Sequence, residues 1–370
     1  MKLKRFSWIF LIALLTIFPA AAQDSSAPVI DATNIRQLQS IAQINFADLS
    51  EEAGVVDKGW FALSANGNRL VVMNRQNVLV TLNNMGQVLD VIAVISGKIR
   101  LSSIDAVFSS DGELHASLQV ENGKYQVNWR WIGNNLGEQH IVDSLDVPIR
   151  LWFDDVDTKI WLEILSGDST EMAYVTQIIP SSMELYSSMG REIANADVIT
   201  LPSGPENDPD SFMRIGRIDP PRAITATKEA LLKLWNLETG EVTAAVQLDS
   251  LPAAGQVNSD GSSFAWVDQK FASLHLLNFE TGEDQVIAPL GGTYIPFLLL
   301  SAKSDVIIGV NVGLEPDVVA WDISTGERID LGKYRTCNRQ PDLVRLSKDG
   351  STLVIGCDSG LDIWRVPETP

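Results

Sequence analysis

Two cysteines, three histidines and a surplus of carboxylates are the residues with chemistry to offer. Cys337 and Cys357 have no neighbouring His and form no Cys-x-x-Cys, so they supply no zinc ligand set. They read either as a disulfide, which an oxidising compartment would favour, or as two buried free thiols. A bridge closing that loop would stabilise by about 3 kcal/mol in the chain-entropy model. Glu206, Asp208 and Asp210 lie in a Pro- and Ser-rich stretch that ends near Phe212. Their oxygens suit Ca²⁺, but the EF-hand spacing is missing and prolines fix the path. The expectation is a solvated loop, with Glu206, Asp208, Asp210 and Phe212 as a weak binding surface and no metal.

Covalent catalysis finds no home in the sequence. No Gly-x-Ser-x-Gly elbow is present. His115, His140 and His275 each stand within or beside an apolar run, where a structural role is the simpler reading. No Walker-type loop occurs, and Gly291-Gly292 is a bare turn. Trp129 and Trp131 share one face of a strand and read as core. Lys333, Arg335, Arg339 and Arg345 form a modest basic group in an otherwise acidic chain. No catalytic residue and no cofactor is expected.

The elements that must position these residues follow from the rest of the chain. Lys2, Lys4 and Arg5 precede an apolar run from Trp8 to Phe18, then Pro19 and Ala20-Ala21-Ala22. That is the pattern of a signal peptide over residues 1–22, cleaved after Ala22, with an uncleaved anchor as the alternative. The location expected is secreted or periplasmic, without stable membrane insertion. Residues 23–34 read as a disordered linker. The chain has 370 residues, 45% hydrophobic, enough for a large core. Its formal charge of −19, about −22 without the leader, repels phosphate backbones, so nucleic acid is not an expected partner.

A repeat runs through the body. Ser64-Ala65-Asn66-Gly67, Ser109-Ser110-Asp111-Gly112, Asn258-Ser259-Asp260-Gly261 and Ser347-Lys348-Asp349-Gly350 are tight-turn signals, with degenerate copies around Asp155 and Asp305. Where the series is regular, copies are about 44 residues apart, the period of a four-stranded unit. A second turn signal follows at half a period: Leu234-Trp235-Asn236-Leu237-Glu238-Thr239-Gly240-Glu241, Asn278-Phe279-Glu280-Thr281-Gly282-Glu283 and Trp321-Asp322-Ile323-Ser324-Thr325-Gly326-Glu327. Two hairpins per unit make a four-stranded meander. Strands such as Leu70–Met73 and Leu353–Gly356 are apolar on both faces, as strands stacked between neighbouring sheets must be.

These motifs resemble the WD40 family, in particular its divergent bacterial members, over roughly residues 35–366. The Gly-His dipeptide of that family is absent, and only Trp321-Asp322 keeps its namesake pair. The resemblance implies an all-β fold: a seven-bladed β-propeller of four-stranded antiparallel blades over 35–370. Seven first turns are counted. The fourth, near Pro221, is the least regular, and the extra residues around Ser181–Phe212 could instead hold an eighth blade. The last unit has only three strands, so the N-terminal stretch Ile35–Ile44 is expected to supply the fourth. Its apolar spacing fits a short helix as well as a strand. The resemblance also implies a non-enzymatic scaffold, expected as a monomer, that binds a protein partner through loops on the propeller faces. The alternative is an extracytoplasmic propeller hydrolase or lactonase with a metal at the central channel.

Overall fold

The computed structural model describes residues 27–367 apart from 50, 75–78, 93–104, the connections between the strands of 105–226, and 228, 237–240, 259–260, 313–315 and 338–339; within several strands, including most of 105–216, only the backbone is described. The protein is all-β and antiparallel, and the described strands fall into seven sheets in chain order.

The first sheet comprises Val56–Leu63, Arg69–Asn74, Leu79–Asn83 and Val88–Ile92. The second comprises Asp105–Phe108, Leu114–Glu121, Lys124–Trp131 and Gly137–Val142, with Arg191–Glu192 added in parallel at its edge. Val147–Phe153, Lys159–Ser166, Ser169–Gln177 and Val198–Thr200 make the third. The fourth holds Ser211–Gly216, Arg222–Ala226, Leu231–Asn236 and Glu241–Gln247. The fifth holds Pro252–Val257, Ser263–Asp268, Ser273–Asn278 and Asp284–Pro289. The sixth holds Phe297–Leu300, Val306–Asn311, Asp317–Asp322 and Arg328–Gly332. In the seventh, Leu343–Leu346, Thr352–Cys357 and Gly360–Arg365 are joined by Gln39–Asn45, which pairs antiparallel with Gly360–Arg365.

Both periodicities in the N-terminal stretch are realised, one after the other. Ile35–Gln37 is a single 3₁₀ turn, and Gln39–Asn45 is the strand. The expected linker differs from the structure over 27–34. Ile30 is fully buried and its amide donates to the Gly350 carbonyl at 2.9 Å. Asp31 lies on Lys303 at 2.5 Å, and the Ala32 amide reaches Asp305. Composition alone did not show that one apolar residue there fits a gap between the sixth and seventh sheets. The extra residues near Ser181 do not build an eighth sheet among the described residues. Two of them extend the second sheet, and three complete the third.

First strands lie side by side from the first sheet to the third and from the fourth to the seventh, and Leu343–Leu346 of the seventh lies beside Val56–Leu63 of the first. The second strands whose burial is described are buried on both faces; Thr352–Cys357 is buried throughout. The fourth strands whose burial is described are largely exposed, Glu241–Gln247 most of all. The core is therefore a set of layers between sheets. One layer joins Ile44, Val354, Leu361 and Ile363 of the seventh sheet to Phe61, Leu70 and Val80 of the first. Another joins Trp266 and Phe264 to Leu232 and Leu234.

The recurring turns have one geometry. The first residue of each, Ser64, Asn258, Ser301 or Ser347, accepts through its side chain from the amide five residues on, at 2.9–3.1 Å. The fourth residue takes positive φ: Gly67, Gly261, Ser304 and Gly350. The degenerate copy is thus centred on Ser304 rather than Asp305. These turns also touch from sheet to sheet. Asn258 Nδ2 donates to Ser304 Oγ at 2.7 Å, and the Asp349 amide donates to the Ala65 carbonyl at 3.0 Å. The Thr-Gly-Glu turns have their own lock. Asn278 and Asp322 each accept two amides, from Glu280 and Thr281 and from Ser324 and Thr325, and the following Thr hydroxyl accepts the Glu amide.

Fourth strands end each sheet, and an open edge invites pairing with another chain. Five carry a β-bulge, at Leu89, Thr243, Ile287, Leu331 and Ile41. Each bulge breaks the ladder and twists the strand away from a flat edge. Val198–Thr200 is only three residues long, and Gly137–Val142 is the edge that Arg191–Glu192 covers.

Candidate functional site

Antiparallel meanders put the recurring turns at one end of the sheets, here the turn end. The connections from one sheet to the next emerge at the other, the connection end. Three groupings of polar or aromatic side chains stand out among the described residues.

The first surrounds the cysteines, at the connection end of the seventh sheet. Leu343 pairs with Gly356, so the ladder alone would leave Cys337 well short of Cys357. The segment after the sixth sheet folds back, and the two Cα atoms are 5.6 Å apart, within disulfide reach. Tyr334 anchors this return. It is buried, its hydroxyl donates to the Asn311 carbonyl at 3.2 Å, and burial with the nearby Asp317 charge pushes its pKa up to about 12. Ser359 Oγ donates to the Thr336 carbonyl at 2.6 Å. The Arg335 amide donates to Asp362 at 2.9 Å, and Ser40 of the N-terminal strand donates to the same carboxylate. Of the basic group noted in the sequence, Arg335 therefore acts here through its backbone.

Asp362 is fully buried, and burial raises its pKa against the opposing bonds from Ser40 and Arg335. A carboxyl with a raised folded pKa contributes stability that is present below the unfolded value of 3.8 and lost as pH rises through the folded value. Asp362→Asn keeps an acceptor for Arg335 and a group to pair with Ser40. Urea titrations from pH 4 to 7 are expected to show that this variant lacks the fall in stability that the carboxyl adds to the native protein. An unchanged pH profile in the variant would refute the assignment. Asp31 works in the opposite direction: its bond to Lys303 lowers its pKa, so its contribution is lost as pH falls below the usual carboxylate range.

The second grouping spans the fifth sheet. Trp266 Nε1 donates to Asp284 Oδ1 at 2.9 Å, and His275 Nδ1 lies 3.0 Å from Asp284 Oδ2. The imidazole stacks on the indole, with centroids 4.0 Å apart. These residues come from the second, third and fourth strands, so the cluster ties the outer strand to the two inside it. His275, whose apolar surroundings suggested a structural role, is the middle member of this tie. His115 and His140 are placed only as strand positions.

The third lies at the connection end of the fifth sheet. Phe271 sits at φ 51°, where a bulky side chain is rarely found. Asp268 holds that loop by accepting the Lys270, Ala272 and Ser273 amides, and Gly292 donates to the Phe271 carbonyl at 2.9 Å. Burial raises the Asp268 pKa, but these amides outweigh it and the net shift is downward. Tyr294 packs edge-on against Phe271 at 4.9 Å and is 47% exposed. Nothing in the sequence singled out this pair; the signal was an Asp four residues ahead of Ala272, which any turn would share.

Glu206, Asp208 and Asp210 lie outside the described residues. Phe212 stands opposite Thr225 in Ser211–Gly216, the first strand of the fourth sheet, and so is not a loop residue. The segment between Thr200 and Ser211 joins the third sheet to the fourth. No group of three or more His, Cys, Asp or Glu side chains is placed to hold a metal among the described residues, and no helix among them is long and apolar enough to cross a membrane.

No family model matches the sequence, and no curated protein matches it. Among solved structures, the protein is similar to the β-propeller domain of Cps50 (Swd1) from Myceliophteria thermophila. The TM-score is 0.59 at 10% identity, over 89% of this chain and 100% of that one. At that identity the likeness is one of fold: it carries the propeller and does not extend to a bacterial subtype.

Proposed function

We propose that the seven sheets are the blades of one closed propeller, completed by Gln39–Asn45, and that the protein is a non-enzymatic scaffold working outside the cytoplasm. The contact of the seventh sheet with the first and the pairing of Gln39–Asn45 with Gly360–Arg365 support the ring. The cysteine pair in bonding position is compatible with export after cleavage at Ala22.

The observation that carries the binding reading is the Phe271–Tyr294 pair. Tyr294 is an exposed aromatic backed by Phe271, whose own backbone is held in a costly conformation, and an aromatic so supported is the kind of rigid anchor that protein interfaces favour. We assign the connection end to a protein partner, bound by a monomer.

The test is capture of partners from a native envelope fraction on the purified protein, beside Tyr294→Ala and Phe271→Ala variants of unchanged melting temperature. One stoichiometric partner retained by the native protein and lost by Tyr294→Ala is the expected result. Equal retention by all three would remove the assignment. Metal analysis with melting before and after EDTA addresses the enzymatic alternative: a stoichiometric ion and a large shift would replace the scaffold reading.

A further inference from the structure

We infer that oxidation of Cys337 and Cys357 controls whether the chain's first strand is held in the seventh sheet. The inference rests on the reading of an exported, closed ring. Its ground is a set of bonds that lead from both ends of Gln39–Asn45 to the cysteine loop.

At one end, Ser40 donates to Asp362, and Asp362 also accepts the Arg335 amide at 2.9 Å. At the other, the Phe46 amide donates to the Ser359 carbonyl at 3.0 Å, and the Ser359 hydroxyl donates to the Thr336 carbonyl at 2.6 Å. Thr336 Oγ1 reaches back to the Leu361 carbonyl at 3.4 Å. The two groups that hold the strand's ends, Asp362 and Ser359, are thus shared with residues 335 and 336, next to Cys337. The bond from Cys337 to Cys357 fixes that loop against the turn that carries Ser359.

Beyond its ladder with Gly360–Arg365, the strand has little else of its own. It is an outer strand, bulged at Ile41, with Ile44 as its one buried side chain. Loss of the bridge frees the loop, and the loop takes with it the second partners of Asp362 and Ser359. Asp362 is then a buried carboxylate with fewer donors, a costly state that repacking around Ser40 would relieve.

The chemistry balances as thiol–disulfide exchange. Two thiols lose two protons and two electrons and form one S–S bond. The acceptor is another disulfide, on an oxidoreductase or a small thiol compound, which becomes two thiols. In a reducing compartment the first strand is loosely held, and an oxidising one secures it.

Hydrogen–deuterium exchange of the full chain tests this, comparing oxidised protein with the same protein reduced and alkylated. A Cys337→Ala/Cys357→Ala variant provides a second bridge-free state that needs no reductant. Exchange over 39–46 is expected to rise by at least about tenfold in both bridge-free forms, while 263–268 of the fifth sheet stays protected. If only 333–342 accelerates and 39–46 does not, the bridge merely holds its own loop and the inference falls. If 39–46 exchanges freely in the oxidised protein as well, the closed-ring reading fails instead. Two free thiols in protein purified from an oxidising compartment would also overturn the inference.

Discussion

Gly67→Ala is expected to destabilise the protein by about 2–4 kcal/mol, a loss of roughly 1 from the left-handed backbone and the rest from overpacking. Gly67 takes φ 68°, and a Cβ there would fall 2.1 Å from Thr352 Oγ1 of the seventh sheet. Thr352 cannot yield easily. It is fully buried, its amide is bound to Ser347, and its hydroxyl accepts from Arg365 Nε at 2.8 Å. Arg365 in turn donates to the Gly67 carbonyl at 2.8 Å, so the added methyl pushes on the contact between the last sheet and the first. Gly282→Ala separates the two causes. Gly282 has φ 70° with nothing within 4 Å of a Cβ, so only the backbone term, about 1 kcal/mol, should appear. Urea unfolding of both variants measures the difference. Equal losses would mean that the first and seventh sheets do not meet as described.

A protein beginning at Phe46 should fail to give a stable folded monomer. It lacks Ile30, Ile35, Leu38 and Ile44, all buried against the sixth, seventh and first sheets. At about 1.5–3 kcal/mol for each such side chain, the loss approaches the whole net stability of an ordinary domain. It also uncovers the outer side of Gly360–Arg365, a fully paired strand buried on five of its six residues. Light scattering after size exclusion should show aggregates, and a synthetic peptide of residues 27–46 added in trans should restore the cooperative melt. An unchanged melting temperature without those residues would refute the account.

The fold was legible because its turns are chemical. Ser, Asn and Asp at the head of a turn, with Gly three or four residues on, satisfy amides that any such hairpin must satisfy, and so recur wherever the hairpin does. The copy at 301–304 was misplaced by one residue because Ser304, not a Gly, holds the positive φ. The pairing of Gln39–Asn45 was foreseen from a shortage of strands in the last unit, not from its own pattern, which carries a 3₁₀ turn and a strand between Ile35 and Asn45. The candidate sites were less legible. Asp362 is one of many carboxylates in an acidic chain, and what sets it apart is that Ser40 and Arg335, 322 and 27 residues away, converge on it. The Phe271–Tyr294 pair likewise depends on two connections meeting at one end of a sheet. Side chains that act through distant partners leave no local spacing to read.

The pairing of Gln39–Asn45 with Gly360–Arg365 makes neighbours of two strands more than 300 residues apart in sequence. If the proposed ring closes, the order in which the sheets are written is a convention of the gene rather than a property of the fold. A circular permutant joined from residue 367 to 27 and opened at the exposed Glu280-Thr281 turn would place all four strands of the seventh sheet in one continuous stretch. Synthesis would then deliver that sheet whole, where the natural order keeps its outermost strand waiting until Gly360–Arg365 has been made.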